Sequence, residues 1–203
     1  MAVKRENTFL VITDFETTGL DPLRDYPIEI GCIFLDPNLD VVSTFESLIL
    51  PPQPEKLVIA TTTTLDKEYI IPVWEPAYHS AFNVHGITLE ELFKKGISPR
   101  ECVNRLFEII DYVKKETGLK NGRFIITSDN AQFEFNFMKR LFALAGEEKW
   151  VFHYAAWDTN ILLDYFFTDI GDPAPKHRAL ADCWRLYKQL IRCAERLNFF
   201  NKP

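Results

Sequence analysis

The run Thr8-Phe-Leu-Val-Ile-Thr-Asp-Phe-Glu-Thr-Thr-Gly-Leu20 constrains this chain more than any other segment. Its apolar and β-branched start predicts a buried strand over about 8–14. Asp14 and Glu16 stand at the strand's end, and residues two apart share one face of a sheet. Like charges held that close repel and raise each other's pKa. A divalent cation relieves the repulsion, and hard carboxylate oxygens suit Mg²⁺ or Mn²⁺. A lone D-x-E also occurs at ordinary strand-end turns. The pair therefore gains meaning only if the fold brings further acids beside it.

The pattern that follows predicts how such a fold is built. Ile-Glu-Ile-Gly-Cys-Ile-Phe-Leu reads as a second strand over about 28–35, and a third follows over about 43–50. The turn Asp36-Pro-Asn-Leu-Asp40 joins them as a hairpin, so the sheet opens as an antiparallel meander. Pro51, Pro52 and Pro54 end the third strand, because proline cannot continue a ladder. Residues 51–84 read as a long irregular loop. Its aromatics Tyr69, Trp74, Tyr78 and Phe82 favour an ordered flap over a free linker.

The second half alternates. Thr88-Leu-Glu-Glu91 is a capping box that opens a short helix. Ser98-Pro-Arg-Glu101 is another, with Pro99 at the first helical position. Cys102, Val103, Leu106, Phe107, Ile110 and Val113 follow at helical spacing, and Gly118 is the expected stop. Phe124-Ile-Ile-Thr127 reads as a short buried strand, Asn130 as the cap of a helix ending near Ala145 and Gly146. A last strand is expected near 151–154, a short helix capped by Asp158 or Thr159, and a final helix over about 179–197. Three strands followed by alternating helices and strands predict an α/β fold with a mixed sheet flanked by helices.

Composition narrows the function classes. A chain of 203 residues with 47% hydrophobic and 14% aromatic content is neither disordered nor too small for a core, and one domain over 1–203 is expected. No apolar run reaches the roughly 20 residues needed to span a bilayer. The charged start Met-Ala-Val-Lys-Arg-Glu-Asn shows no apolar signal segment. Cysteines at 32, 102, 183 and 193 lack zinc spacing and fit reduced thiols, so a cytoplasmic location without membrane attachment is expected. The net charge of −6 argues against broad binding to a duplex backbone. It leaves room for an enzyme that meets one strand end through a bound cation.

Two further segments can bring acids to the Asp14 edge, because strand ends and helix starts line the crevice of such a sheet. Glu134 lies in Ser128-Asp-Asn-Ala-Gln-Phe-Glu-Phe-Asn-Phe-Met138, which follows a strand and opens a helix. The macrodipole alone would favour a glutamate there. His177-Arg-Ala-Leu-Ala-Asp182 enters the last helix. Five residues apart on one helix, two side chains diverge by about 140°. They converge only if His177 precedes the helix and Asp182 lies within it. Asp182 then reads as a fixed ligand and His177 as a base able to accept a proton near neutral pH.

Taken together and in this order, these segments resemble the DnaQ-like 3′→5′ exonucleases of the DEDDh class, which have an RNase H-like fold. Asp14-Phe-Glu-Thr-Thr-Gly-Leu20 is similar to their first motif, Asn130-Ala-Gln-Phe-Glu134-x-x-Phe-Met138 to the second, and His177-x-Ala-x-x-Asp182 to the third. Val84-His-Gly-Ile-Thr88 resembles the segment before their first long helix. Phe152-His-Tyr with Trp157-Asp-Thr159 resembles the RNase T and oligoribonuclease branches. The second motif usually carries Asp where this chain has Glu134; proofreading exonucleases of the nidovirus type resemble this chain in having Glu there. Asp129 is the alternative ligand, although its spacing to Phe137-Met138 fits less well.

The resemblance implies hydrolysis at single-stranded 3′ ends with two divalent cations, Mg²⁺ or Mn²⁺, releasing nucleoside 5′-monophosphates. It implies that Asp14 bridges both ions, that Glu16 and Asp182 complete the site of the ion holding the attacking water, that Glu134 holds the second, and that His177 takes the proton. It also implies that the terminal nucleotide meets the backbone of Phe15 and Thr17 and the side chains of Thr18 and Leu20, with Leu20 against its base. Phe133 or Phe135 offers a stacking face, and His85 is either a groove contact or part of a turn. His79 and His153 read as structural. Whether RNA or DNA is cut stays open, since no residue fixes the reading of the 2′-hydroxyl. Relatives in the RNase T and oligoribonuclease branches are often homodimers, and the size permits an RNA-trimming enzyme, a DNA-end nuclease or a proofreader with a polymerase or other protein partner. The competing reading is a catalytically degenerate exonuclease-fold module that binds nucleic acid or a protein partner.

Overall fold

The computed structural model describes residues 5–52, 81–166 and 177–197. Most of the expected flap over 51–84 lies outside them. Among the described residues, five strands form one sheet in the order β3-β2-β1-β4-β5. β1 (Thr8–Thr17), β2 (Pro27–Leu35) and β3 (Val41–Leu48) make the antiparallel meander, and β4 (Arg123–Ser128) lies parallel to β1 on its other side. This is the mixed sheet with flanking helices that the order of the elements predicts.

β1 occupies the centre because it is apolar on both faces. Phe9, Val11 and Phe15 enter a core with α2 (Pro99–Thr117) and α3 (Ala131–Ala145). Leu10 and Ile12 face the opposite side, where α4 (Ala179–Arg196) supplies Cys183, Leu186 and Ala194. Each fully buried Phe, Leu or Ile here contributes about 1.5–3 kcal/mol relative to exposure. The four cysteines are free and buried within these layers. No helix among the described residues is long and apolar enough to cross a membrane.

The helices begin and end where their punctuation requires. Thr88 Oγ1 accepts from Glu91 N at 3.0 Å to open α1 (Leu89–Lys95), and Ser98 Oγ accepts from Glu101 N at 3.2 Å to open α2. Gly118 and Gly146 end α2 and α3 in the left-handed conformation that glycine adopts without a Cβ penalty. Asn130 precedes α3 but makes no side-chain cap.

Three expectations shift. Residues 81–85 are helical, and the turn closes at Gly86. The last strand is not at 151–154 but is the two-residue β5 (Trp157–Asp158), parallel to β4. Phe152 makes only an isolated bridge to Phe124. Trp150 and Phe152 instead turn into an aromatic cluster with Phe142, at ring separations of 5.2 and 6.2 Å. A π-helical turn, Ile161–Phe166, follows Thr159 in place of an ordinary helix.

Candidate active site at the strand and helix ends

Three elements end at one place. β1 brings Asp14 and Glu16 to the face covered by α4, and a register shift between Glu16 and Thr17 ends its regular pairing with β2. α3 begins beside that end, with Glu134 buried in its first turn. α4 begins on β2 and carries Asp182 in its own first turn. The close seating of α4 depends on Gly31: a Cβ there would lie 2.4 Å from the Ala179 carbonyl carbon and the Leu180 nitrogen.

Carboxylate oxygens of Asp14, Glu16 and Asp182 all lie within 4.8 Å of one another. Glu134 stands outside this group but is close enough to Asp14 for the Asp14 charge to disfavour its ionisation. Burial, then Glu16 and Asp182, raises the Asp14 carboxyl well above the usual carboxylate range. Glu16 is pushed from its ordinary 4.5 up to about 8 by burial, then by Glu29 and Asp182, against the opposing charge of Arg178. Glu134 is raised by burial and by Asp14, despite a hydrogen bond from the Phe15 backbone. Its Oε2 is buried with no hydrogen-bond partner.

Buried, mutually repelling carboxylates with an orphaned oxygen among them are costly without a cation. An all-oxygen donor set of this kind suits Mg²⁺ or Mn²⁺. The residues present therefore fit a divalent metal. The side chains of Asp14, Glu16 and Asp182 supply one tight group of donors, and Glu134 supplies another oxygen from the α3 side.

The rest of the candidate residues fall into distinct places. His177 lies immediately before α4 with a backbone φ of 53°. Asp129, the alternative to Glu134, is 2.7 Å from Arg185 Nη2, and Arg185 Nε also reaches Asp182 at 3.4 Å. The loop after β1 is shaped by Asp25, which accepts from Asp21 N at 2.8 Å and from Thr18 Oγ1 at 3.5 Å. Gly19 packs so closely on Asp25 that a Cβ would lie 2.4 Å from its Oδ2. Thr18 is fully buried, its hydroxyl serving this loop, and the Thr17 hydroxyl donates to Gly19 O at 2.6 Å. Leu20 is 83% exposed beside them.

Phe15 is buried under the cluster. Phe133 is partly buried against Phe137, at a ring separation of 4.6 Å, while Phe135 belongs to the core against Trp150. His85 is buried. Its Nδ1 accepts from Ile87 N at 3.0 Å, and its Nε2 has no hydrogen-bond partner. Burial, then Arg178 and His177, lowers its pKa from 6.5 to about 4. His153 turns inward on its own loop, accepting from Ala155 N at 3.2 Å. His79 lies outside the described residues.

The sequence reading missed one pair. Glu29 is fully buried in β2 and takes a fork from Arg178, with Nη2 at 2.6 Å from Oε1 and Nε at 3.0 and 3.2 Å from the two oxygens. The signal was a single charge inside Ile28-Glu29-Ile30. A carboxylate at the centre of a fully buried strand requires a partner.

Residues 11–67 match the exonuclease family described as RNase_T: Exonuclease. No curated protein matches the chain. In fold the chain is similar to E. coli Exonuclease I in complex with a 5cy-dA13 oligonucleotide, at 14% identity and TM-score 0.62, covering 93% of this chain and 40% of that one. The zinc ion bound form of the E. coli ExoI–ssDNA complex is similar at 16% identity and TM-score 0.64, covering 94% of this chain and 41% of that one. The nuclease domain of 3′hExo, a DEDDh family member, bound to rAMP, matches at 16% identity and TM-score 0.61, covering 94% of this chain and 93% of that domain. The chain thus spans about two fifths of the Exonuclease I structures and nearly all of the 3′hExo nuclease domain.

Proposed function

We propose that this chain, which has the fold and the first motif of the DnaQ-like exonucleases, is a metal-dependent 3′→5′ exonuclease acting on single-stranded nucleic-acid 3′ ends. The observation that carries this reading is the convergence of Asp14, Glu16 and Asp182 within 4.8 Å, with Glu134 beside them carrying one buried, unpartnered oxygen. A purely structural site would not retain so repulsive a cluster. The Exonuclease I structures hold single-stranded oligonucleotides, and the 3′hExo domain holds rAMP. Both support a terminal nucleotide as the group that this site accepts.

Asp14 would bind both cations, Glu16 and Asp182 the first, and Glu134 the second, directly or through water. Two divalent cations bound there, Mg²⁺ or Mn²⁺, would supply charge against the negative charge that develops on the phosphate and the leaving oxygen. His177 takes the proton from the attacking water. The water oxygen bonds to phosphorus, the bond from phosphorus to the 3′-oxygen breaks, that oxygen takes up a proton from solvent as it leaves, and His177 then returns its proton to solvent. The product is a nucleoside 5′-monophosphate and a strand shorter by one residue. Leu20, exposed beside the cluster, meets the terminal base, with Phe133, His85 and the backbone of Phe15 and Thr17 nearby. Thr18 contributes by holding the loop.

The test uses 5′-labelled single-stranded RNA and DNA, and duplexes with 3′ overhangs, each with Mg²⁺, Mn²⁺ or EDTA. A ladder shortening from the 3′ end that EDTA abolishes is expected. No cleavage of any substrate with either metal would favour a module that only binds.

A further inference from the structure

We propose that Glu29 and Arg178 are a positioning pair that fixes the backbone presenting His177, and so aligns the group that takes the proton from water. The inference rests on the reading of His177 as that group. Glu29 accepts from Arg178 through both arms of its guanidinium and also from the Ala179 backbone N–H at 2.9 Å. Arg178 and Ala179 are the two residues directly after His177. The N–H of the peptide joining His177 to Arg178 in turn donates to Asp182 Oδ2 at 3.3 Å. Successive peptides after His177 are therefore tied to two different buried carboxylates.

His177 needs such ties. Its φ of 53° lies in the left-handed region, which residues with a Cβ occupy only when their surroundings over-determine it. The start of α4 cannot drift to relieve it, because Ala179 and Leu180 rest directly on Gly31. A helix here can open with no carboxylate tie at all, as α3 does at Asn130. A bidentate pair between a half-exposed arginine and a fully buried carboxylate is an unusual device for opening a helix, but its two-point geometry holds position closely.

The experiment compares Glu29→Gln, Arg178→Lys, His177→Ala and the double variant Glu29→Gln/His177→Ala. Turnover and KM are measured at saturating Mn²⁺, and Mn²⁺ affinity is measured by calorimetry without substrate. Glu29→Gln is expected to lower kcat about 10²-fold, the scale for an ångström of misplacement. Its Mn²⁺ Kd and KM should stay within about twofold. Arg178→Lys keeps the charge without the fork and should fall between Glu29→Gln and the parent. In the His177→Ala background, measured on the residual activity, Glu29→Gln should cost no more than about twofold, because the residue it positions is gone. Should Glu29→Gln fail to fold, Arg178→Lys carries the same comparison in both backgrounds.

A kcat near the parent's, a loss matched by lost Mn²⁺ affinity, or an equal loss in both backgrounds would overturn the positioning role. Full activity in His177→Ala would instead overturn the base assignment, and the positioning role with it.

Discussion

Asp14, at the end of the first strand, and Asp182, in the first turn of the last helix, bring carboxylate oxygens within 4.8 Å of each other and of Glu16. That proximity makes the fold's stability depend on protons and metal. A carboxyl with a raised folded-state pKa stabilises the fold only while protonated. For Glu16 the contribution is full below its ordinary 4.5 and is lost as pH rises toward about 8. In EDTA, the thermal midpoint should therefore fall over that window. Mn²⁺ or Mg²⁺ should restore it, by an increment that grows with pH. Glu16→Gln should flatten the EDTA slope, and an unchanged slope would contradict the assignment.

Glu134 is buried in the first turn of α3 with an unpartnered oxygen. Glu134→Gln removes a buried charge, so the metal-free protein should become more stable while turnover falls about 10²-fold or more. Asp129→Asn should cost less than about tenfold, since Asp129 is held by Arg185. Reversed sensitivities would make Asp129 the ligand.

Gly31→Ala should destabilise the protein by about 1–3 kcal/mol, as overpacking against rigid backbone does. The clash is with Ala179 and Leu180, so α4 and Asp182 must shift. Denaturant unfolding measures the loss. Mn²⁺ calorimetry should show weaker binding than the parent.

Leu20 is exposed, so its truncation should leave the thermal midpoint unchanged. If it packs on the terminal base, Leu20→Ala should raise KM roughly tenfold, the scale set by the apolar area that a leucine side chain covers. Steady-state kinetics on the preferred substrate decides it.

Much of this architecture was legible because its signals are local. Thr88 and Ser98 accept the backbone bonds that their capping boxes imply, and Gly118 and Gly146 stop helices where expected. The meander followed from the alternation and the turn at 36–40. β5 was not legible, because two parallel residues carry no periodicity. Near the strand expected over 151–154, Trp150 and Phe152 belong instead to a side-chain cluster. The Glu29–Arg178 fork and the Arg185–Asp129 pair join residues far apart in sequence, 149 and 56 positions respectively. Only the buried setting of Glu29 hinted that a partner existed.

The most direct measurement sets the parent beside Asp14→Ala on a 5′-labelled single strand at saturating Mn²⁺, with circular dichroism of both proteins. The account predicts a ladder shortening from the 3′ end for the parent, none for Asp14→Ala, and the same fold in both. A ladder of near-parent rate from folded Asp14→Ala would contradict it.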